Sequence, residues 1–211
     1  MNAPLPIYLA VEDELSEHVL RRLLKERPVP YAIGPVLQRG GFGYLKKQSP
    51  AFNNMARAVP VLLLTDLDNH PCAPALIDEW LTGPRHPDFL LRVAVREVES
   101  WLLAAESGLS NYIGVGGRCL YDAPEALKDP KMELLKLAWS CPRREKREAI
   151  VRRDSNGRLL QGPAYNAILG DFVYQGWQVK NAVRACPSLK RLINALEALE
   201  TAWSQKKQSA S

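Results

Sequence analysis

The run Val61-Leu62-Leu63-Leu64-Thr65 constrains the fold more than any other feature of this 211-residue chain. A strand with one wet face alternates apolar and polar residues; this one does not. Strands without alternation are covered on both faces, as in a parallel sheet between helices. The neighbouring segments supply such a sheet. Ile7–Val11 reads as a first strand. Leu15, Val19, Leu20, Leu23 and Leu24 then recur at helical spacing, and Pro28 and Pro30 end that helix. Tyr31–Leu37 and Phe89–Val95 are further strands. Helices are expected from Lys47 to Ala58, from Ala73 to Leu81, and from about Glu97 onward. The alternation predicts βα units around a mostly parallel, Rossmann-like α/β sheet flanked by helices.

Beyond this the pattern changes. Lys131–Trp139, Tyr165–Tyr174, Val179–Cys186 and Leu189–Trp203 read as helices, the last with an apolar stripe. The expected organisation is an α/β domain over 1–107 and a mainly helical extension over 108–211 packed on it.

The strand ends carry the chemistry. Asp66 and Asp68 follow the apolar run, and on an extended chain residues two apart point to one side. Glu12 directly follows the first strand, and Glu97 and Glu99 follow the Phe89–Val95 strand. The carboxyl ends of parallel strands are where α/β proteins place ligands. Carboxylates aimed at one point repel, and a hard divalent cation relieves the repulsion. Glu12, Asp66, Asp68, Glu97 and Glu99 are therefore expected to hold Mg²⁺ or Mn²⁺. Each also has a plainer reading, as a helix cap or a first-turn partner of the helix dipole. His70 and Cys72, just downstream, read as loop residues rather than softer ligands.

Two basic regions offer contacts to a polyanion. Arg39-Gly40-Gly41-Phe42-Gly43-Tyr44, followed by Lys46 and Lys47, could cradle a phosphate with backbone amides or be a plain connection; it lacks the closing G-K-[S/T] of a nucleotide-triphosphate loop. Arg143, Arg144, Lys146, Arg147, Arg152 and Arg153 could track a nucleic-acid backbone, although interspersed Glu145, Glu148 and Asp154 also suit a solvated helix face. The net charge of +5 permits such a partner without demanding one.

Other classes are disfavoured. No apolar run approaches the roughly 20 residues of a membrane span. Met1–Pro6 shows no basic leader pattern, so a cytoplasmic location is expected. Cys72, Cys119, Cys141 and Cys186 form no C-x-x-C pair, which argues for reduced structural thiols and against zinc.

Taken in order, VEDELSE (11–17), LLLTDLDNHPC (62–72), VREVESWLLA (95–104), DPKMELLKLA (129–138), YNAILGDFV (165–173) and CPSLKRL (186–192) resemble the DUF4276 family, small TOPRIM-like proteins often encoded beside an ATPase and associated with anti-phage defence. The resemblance implies a metal-dependent nuclease. Glu12 would be a ligand or general acid/base, Asp66 and Asp68 metal ligands, and Glu97 and Glu99 the acidic pair before Trp101. Lys131, in the DPK motif, would be a catalytic lysine reaching the site. Partners implied are nucleic acid and an ATPase; self-association is left open. Two departures matter. Asp13 stands where the family's glutamate is followed by glycine, which leaves Glu12 and Glu14 as rivals, and Ala105 replaces an aspartate. No tyrosine is placed as a nucleophile, with Tyr44 the nearest candidate, so hydrolysis is favoured over transesterification.

Overall fold

A computed structural model describes residues 3–37, 40–104, 108–116 and 121–208. It divides into two compact units, 1–94 with 188–211, and 95–187. The expected division at 107/108 therefore falls inside the second unit, and the helix following residue 187 groups with the first.

Unit 1 is an α/β sheet. Strands β1 (Leu5–Ala10), β2 (Tyr31–Leu37), β3 (Val61–Asp66) and β4 (Phe89–Ala94) form one sheet in the order β2-β1-β3-β4, with every pairing parallel. Helices α1 (Glu14–Lys25), α2 (Gly41–Met55) and α3 (Ala73–Trp80) connect them. Val61 through Thr65 are all buried, as the lack of alternation requires. β2 lies at an edge, where Pro35 removes no needed ladder donor. Beside it Gly34 leaves room for the Tyr8 ring: a Cβ there would lie 2.3 Å from that ring, which would have to shift.

The helix α10 (Pro187–Gln208) completes unit 1. Its stripe Leu189, Leu192, Leu196 and Leu199 is buried. Glu200, only 6% exposed, accepts from Arg27 Nε at 2.8 Å and Nη2 at 2.9 Å, and from the Tyr31 hydroxyl at 2.9 Å. This forked pair ties α10 to the segment between α1 and β2.

Unit 2 is helical with one hairpin. It holds α4 (Glu99–Leu103), α5 (Leu109–Ile113), α6 (Pro130–Trp139), α7 (Arg144–Ile150), α8 (Tyr165–Gln175) and α9 (Val179–Ala185). Strands β5 (Val151–Arg153) and β6 (Leu159–Gln161) pair antiparallel. Asp154 closes the turn, its Oδ1 accepting from the amides of Asn156 and Arg158, each at 2.9 Å. The charged stretch expected as a helix face is thus a short helix followed by a hairpin. Trp101 and Trp177 anchor the core, the Trp177 indole N–H donating to the Trp101 carbonyl at 3.2 Å. No helix among the described residues is long and apolar enough to cross a membrane.

Candidate functional site: a carboxylate edge at the β1/β3 switch point

The chain leaves β1 toward β2 on one side and later returns to place β3 on the other. Such a reversal opens a crevice at the carboxyl ends of the two central strands. Glu12 and Asp66 stand there. Glu12 Oε1 accepts from the Thr65 hydroxyl and from the Asp66 amide, the latter at 3.1 Å. The carboxylate of one strand end is thus pinned by the end of its neighbour. Burial raises the Glu12 pKa above its ordinary value; the Thr65 and Asp66 hydrogen bonds oppose this, and the charges of Asp68 and Asp13 add to it.

The rivalry between Glu12 and Glu14 is resolved in position. Asp13 is the N-cap of α1, accepting from the Ser16 amide at 2.8 Å, and Glu14 is exposed in that helix's first turn. Only Glu12 meets β3. The extended geometry expected through Asp66-Leu67-Asp68 stops short. The Leu67 amide still donates to Ala94 at 2.9 Å, but Asp68 turns into the left-handed region at φ 47°. The His70 amide then closes the turn on the Leu67 carbonyl at 3.0 Å. Asp68 reaches Glu12 through its charge rather than by strand alternation.

Around this edge the rim is aromatic and ion-paired. The Phe42 ring centroid lies 5.5 Å from that of His70 and 5.0 Å from that of Trp80. Glu79 pairs with Lys46 and, at 3.3 Å, with His70. Lys46 is thereby tied to a carboxylate, and Lys47 is exposed. The expected glycine loop is a helix start instead. Gly40 at φ 82° and Gly41 at φ 63° lead into α2, which already contains Gly43 and Tyr44. Arg39 lies outside the described residues. Cys72 is exposed, at the N-cap position of α3.

The remaining acids belong to unit 2 and have a cation of their own. Lys131 Nζ stands 3.8 Å from Glu97 and 3.5 Å from Glu99. The Lys131 amide donates to Glu97 at 2.9 Å, so Glu97 also caps the start of α6, beside the N-cap Asp129. The buried Glu99 accepts from the Tyr165 hydroxyl at 2.9 Å. Burial and then the charge of Glu99 raise the Glu97 pKa, against the pull of Lys131. Tyr165 is pushed well above the ordinary tyrosine value by burial and by Glu99. Lys131 thus stands near both of the carboxylates that were expected to face a metal ion. Among the described residues no group of three or more His, Cys, Asp or Glu gathers as a metal site.

No family model, curated protein or solved structure matches the chain. The residues themselves must therefore carry any functional reading.

The second basic region divides by role. Lys146 donates to the Tyr112 carbonyl at 2.5 Å and lies over the Tyr112 ring, while Arg147 donates to the Cys141 carbonyl at 3.0 Å. Both hold unit 2 together. Arg153 covers Trp139 at 4.2 Å, Arg152 donates to the Gln161 carbonyl at 3.2 Å, and Arg144 pairs with Glu148 at 2.8 Å. Arg143, Arg144, Arg152 and Arg153 keep exposed surface. Thr65 and Tyr165 were not anticipated as site residues. The signal for Thr65 was its place as the single hydroxyl ending an apolar strand; Tyr165 gave none.

Proposed function

We propose that the chain is a Mg²⁺- or Mn²⁺-dependent nuclease hydrolysing phosphodiester bonds at the unit 1 carboxylate edge. One observation supports this reading above others: Glu12 and Asp66 stand side by side at the β1/β3 switch point, with Glu12 Oε1 pinned by Thr65 and the Asp66 amide. The donor set is carboxylate oxygen, which suits a hard divalent cation. Asp66 and Asp68 would hold it. When bound, it supplies Lewis-acid polarisation of the phosphate and a more acidic water. Glu12, fixed by two donors, would orient a water at the edge and take up its proton on the carboxylate. Exposed Arg143, Arg144, Arg152 and Arg153 of unit 2 would contact backbone phosphates. In the anti-phage setting that the DUF4276 resemblance implies, an ATPase partner would license cleavage.

The rival reading, a non-catalytic subunit, expects an apolar docking face along Leu189–Trp203. Leu189, Leu192, Leu196 and Leu199 are instead buried, and Tyr174 is the large exposed hydrophobic among the described residues. Calorimetric titration of Mn²⁺ into the wild type and an Asp66→Ala, Asp68→Ala variant tests the nuclease reading. Saturable binding confined to the wild type, with cleavage of plasmid, single-stranded DNA or RNA, is the expected result. Binding that survives in the variant would sink the assignment.

A further inference from the structure

Besides its buried stripe, α10 carries a polar face that borders a cleft. Thr201, Ser204, Gln205 and Gln208 recur on it at helical spacing, all exposed. Beside them, in the connection between α1 and β2, exposed Pro28 and Pro30 flank half-buried Val29. Three adjoining cavities lie around these residues, all in unit 1. The first, of about 480 Å³, is walled by Pro28, Val29 and Pro30 together with Trp203 and Lys207. The second, of about 510 Å³, shares Pro28 and Val29 with it and extends to Glu197 and Thr201. The third, of about 380 Å³, shares Pro28 with both and reaches Lys25 and Ile33.

This shape suits a chain rather than a compact ligand. Adjoining hollows that meet at one ridge, Pro28, accept successive side chains of an extended segment. From Glu197 to Gln208 the helix wall runs about 16 Å, the length of about five residues of polyproline II. Proline and tryptophan offer flat apolar faces of the kind on which that conformation docks, and a polyproline II segment arrives already ordered, so little entropy is lost. Charge selects further. The two carboxylates on the cleft wall, Glu197 and Glu200, are both answered by Arg27, at 3.5 and 2.8 Å. Lys207 lies 5.0 Å from the Trp203 ring centroid and donates to the neutral Ala3 carbonyl at 2.9 Å, and Lys25 is exposed on the third cavity. We propose that this cleft binds a short, acidic, proline-bearing segment of a partner protein in extended conformation. It uses none of the residues of the carboxylate edge and stands independently of the nuclease reading.

The test is titration of the full chain into a fluorescein-labelled peptide of three Pro-Pro-Glu repeats, read by anisotropy. Saturable binding that weakens with added salt is expected. Trp203→Ala should weaken it about thirtyfold, and Lys25→Gln, at an exposed position, about threefold. Should Trp203→Ala misfold, Thr201→Trp decides the matter: its indole, added at an exposed position, fills the second cavity and should block the peptide while the Tm holds. No saturable binding by wild type, or undiminished binding by Thr201→Trp, overturns the site. Equal binding of a Gly-Ser-Glu repeat overturns the recognition of proline, and equal binding of a Pro-Pro-Lys repeat overturns the preference for acid.

Discussion

A carboxyl group withdrawn from water holds its proton more tightly than an exposed one, and Glu97 does so next to a second carboxylate, with Lys131 only partly compensating. Its folded-state pKa lies above the ordinary 4.5. The stability this gives is complete below the unfolded value and is lost as pH rises through the raised one. Glu97→Gln, which keeps an acceptor for the Lys131 amide, should therefore gain on wild type as pH climbs. Thermal melts of the two proteins at pH 4 and pH 7 should show the Tm difference moving in favour of the variant at the higher pH. Tyr165→Phe is the companion change. It deprives a buried carboxylate, Glu99, of a donor at 2.9 Å and should cost about 1–3 kcal/mol in urea unfolding. The Tyr165 pairing was not readable beforehand: Glu99 and Tyr165 are 66 residues apart, and nothing local in either segment names the other. The acids at the ends of β1 and β3 were legible because strand ends are local facts.

At the scale of elements, α10 shows what an apolar stripe can and cannot say. Leu189, Leu192 and Leu196 marked a buried face correctly, but the stripe did not say against what. The deciding partner is the Arg27–Glu200 fork, spanning 173 residues of sequence. Arg27→Ala strands Glu200 in a buried position and should cost about 3–5 kcal/mol, measured by urea denaturation. Replacing both, Arg27→Met with Glu200→Leu, should recover most of that loss, because an apolar pair leaves no charge unanswered. The hairpin β5–β6 was missed for a different reason. Its strands are three residues each, too short for any periodicity to form, and β5 is charged, yet Asn156-Gly157 was a usable turn signal. The start of α2 was missed because Gly40, Gly41 and Gly43 read as a loop, whereas Gly40 and Gly41 are the positive-φ entry to a helix.

For the whole molecule, the parallel sheet followed from the apolar β3 and the βα alternation, whereas the partition did not. Composition shifts near residue 107, but contacts divide the chain after Ala94 and again after Pro187. Residues 95–187 interrupt a unit whose two parts are joined by the Arg27–Glu200 fork. A chain in which a flexible Gly/Ser linker replaces 95–187 should therefore fold as an α/β unit, with a cooperative melt by circular dichroism; residues 1–94 alone, lacking the Arg27–Glu200 fork, should not.

The same interruption sets an order on synthesis. As the chain emerges from a ribosome, β1 through β4 are out first but cannot settle, because α10 is still unmade. The stretch 95–187 is complete before the element that follows it appears. The usual sequence, in which the leading domain is finished first, is inverted here. The first part of the unit must wait for its last helix, with Arg27 and Tyr31 lacking Glu200, until more than ninety further residues have been added.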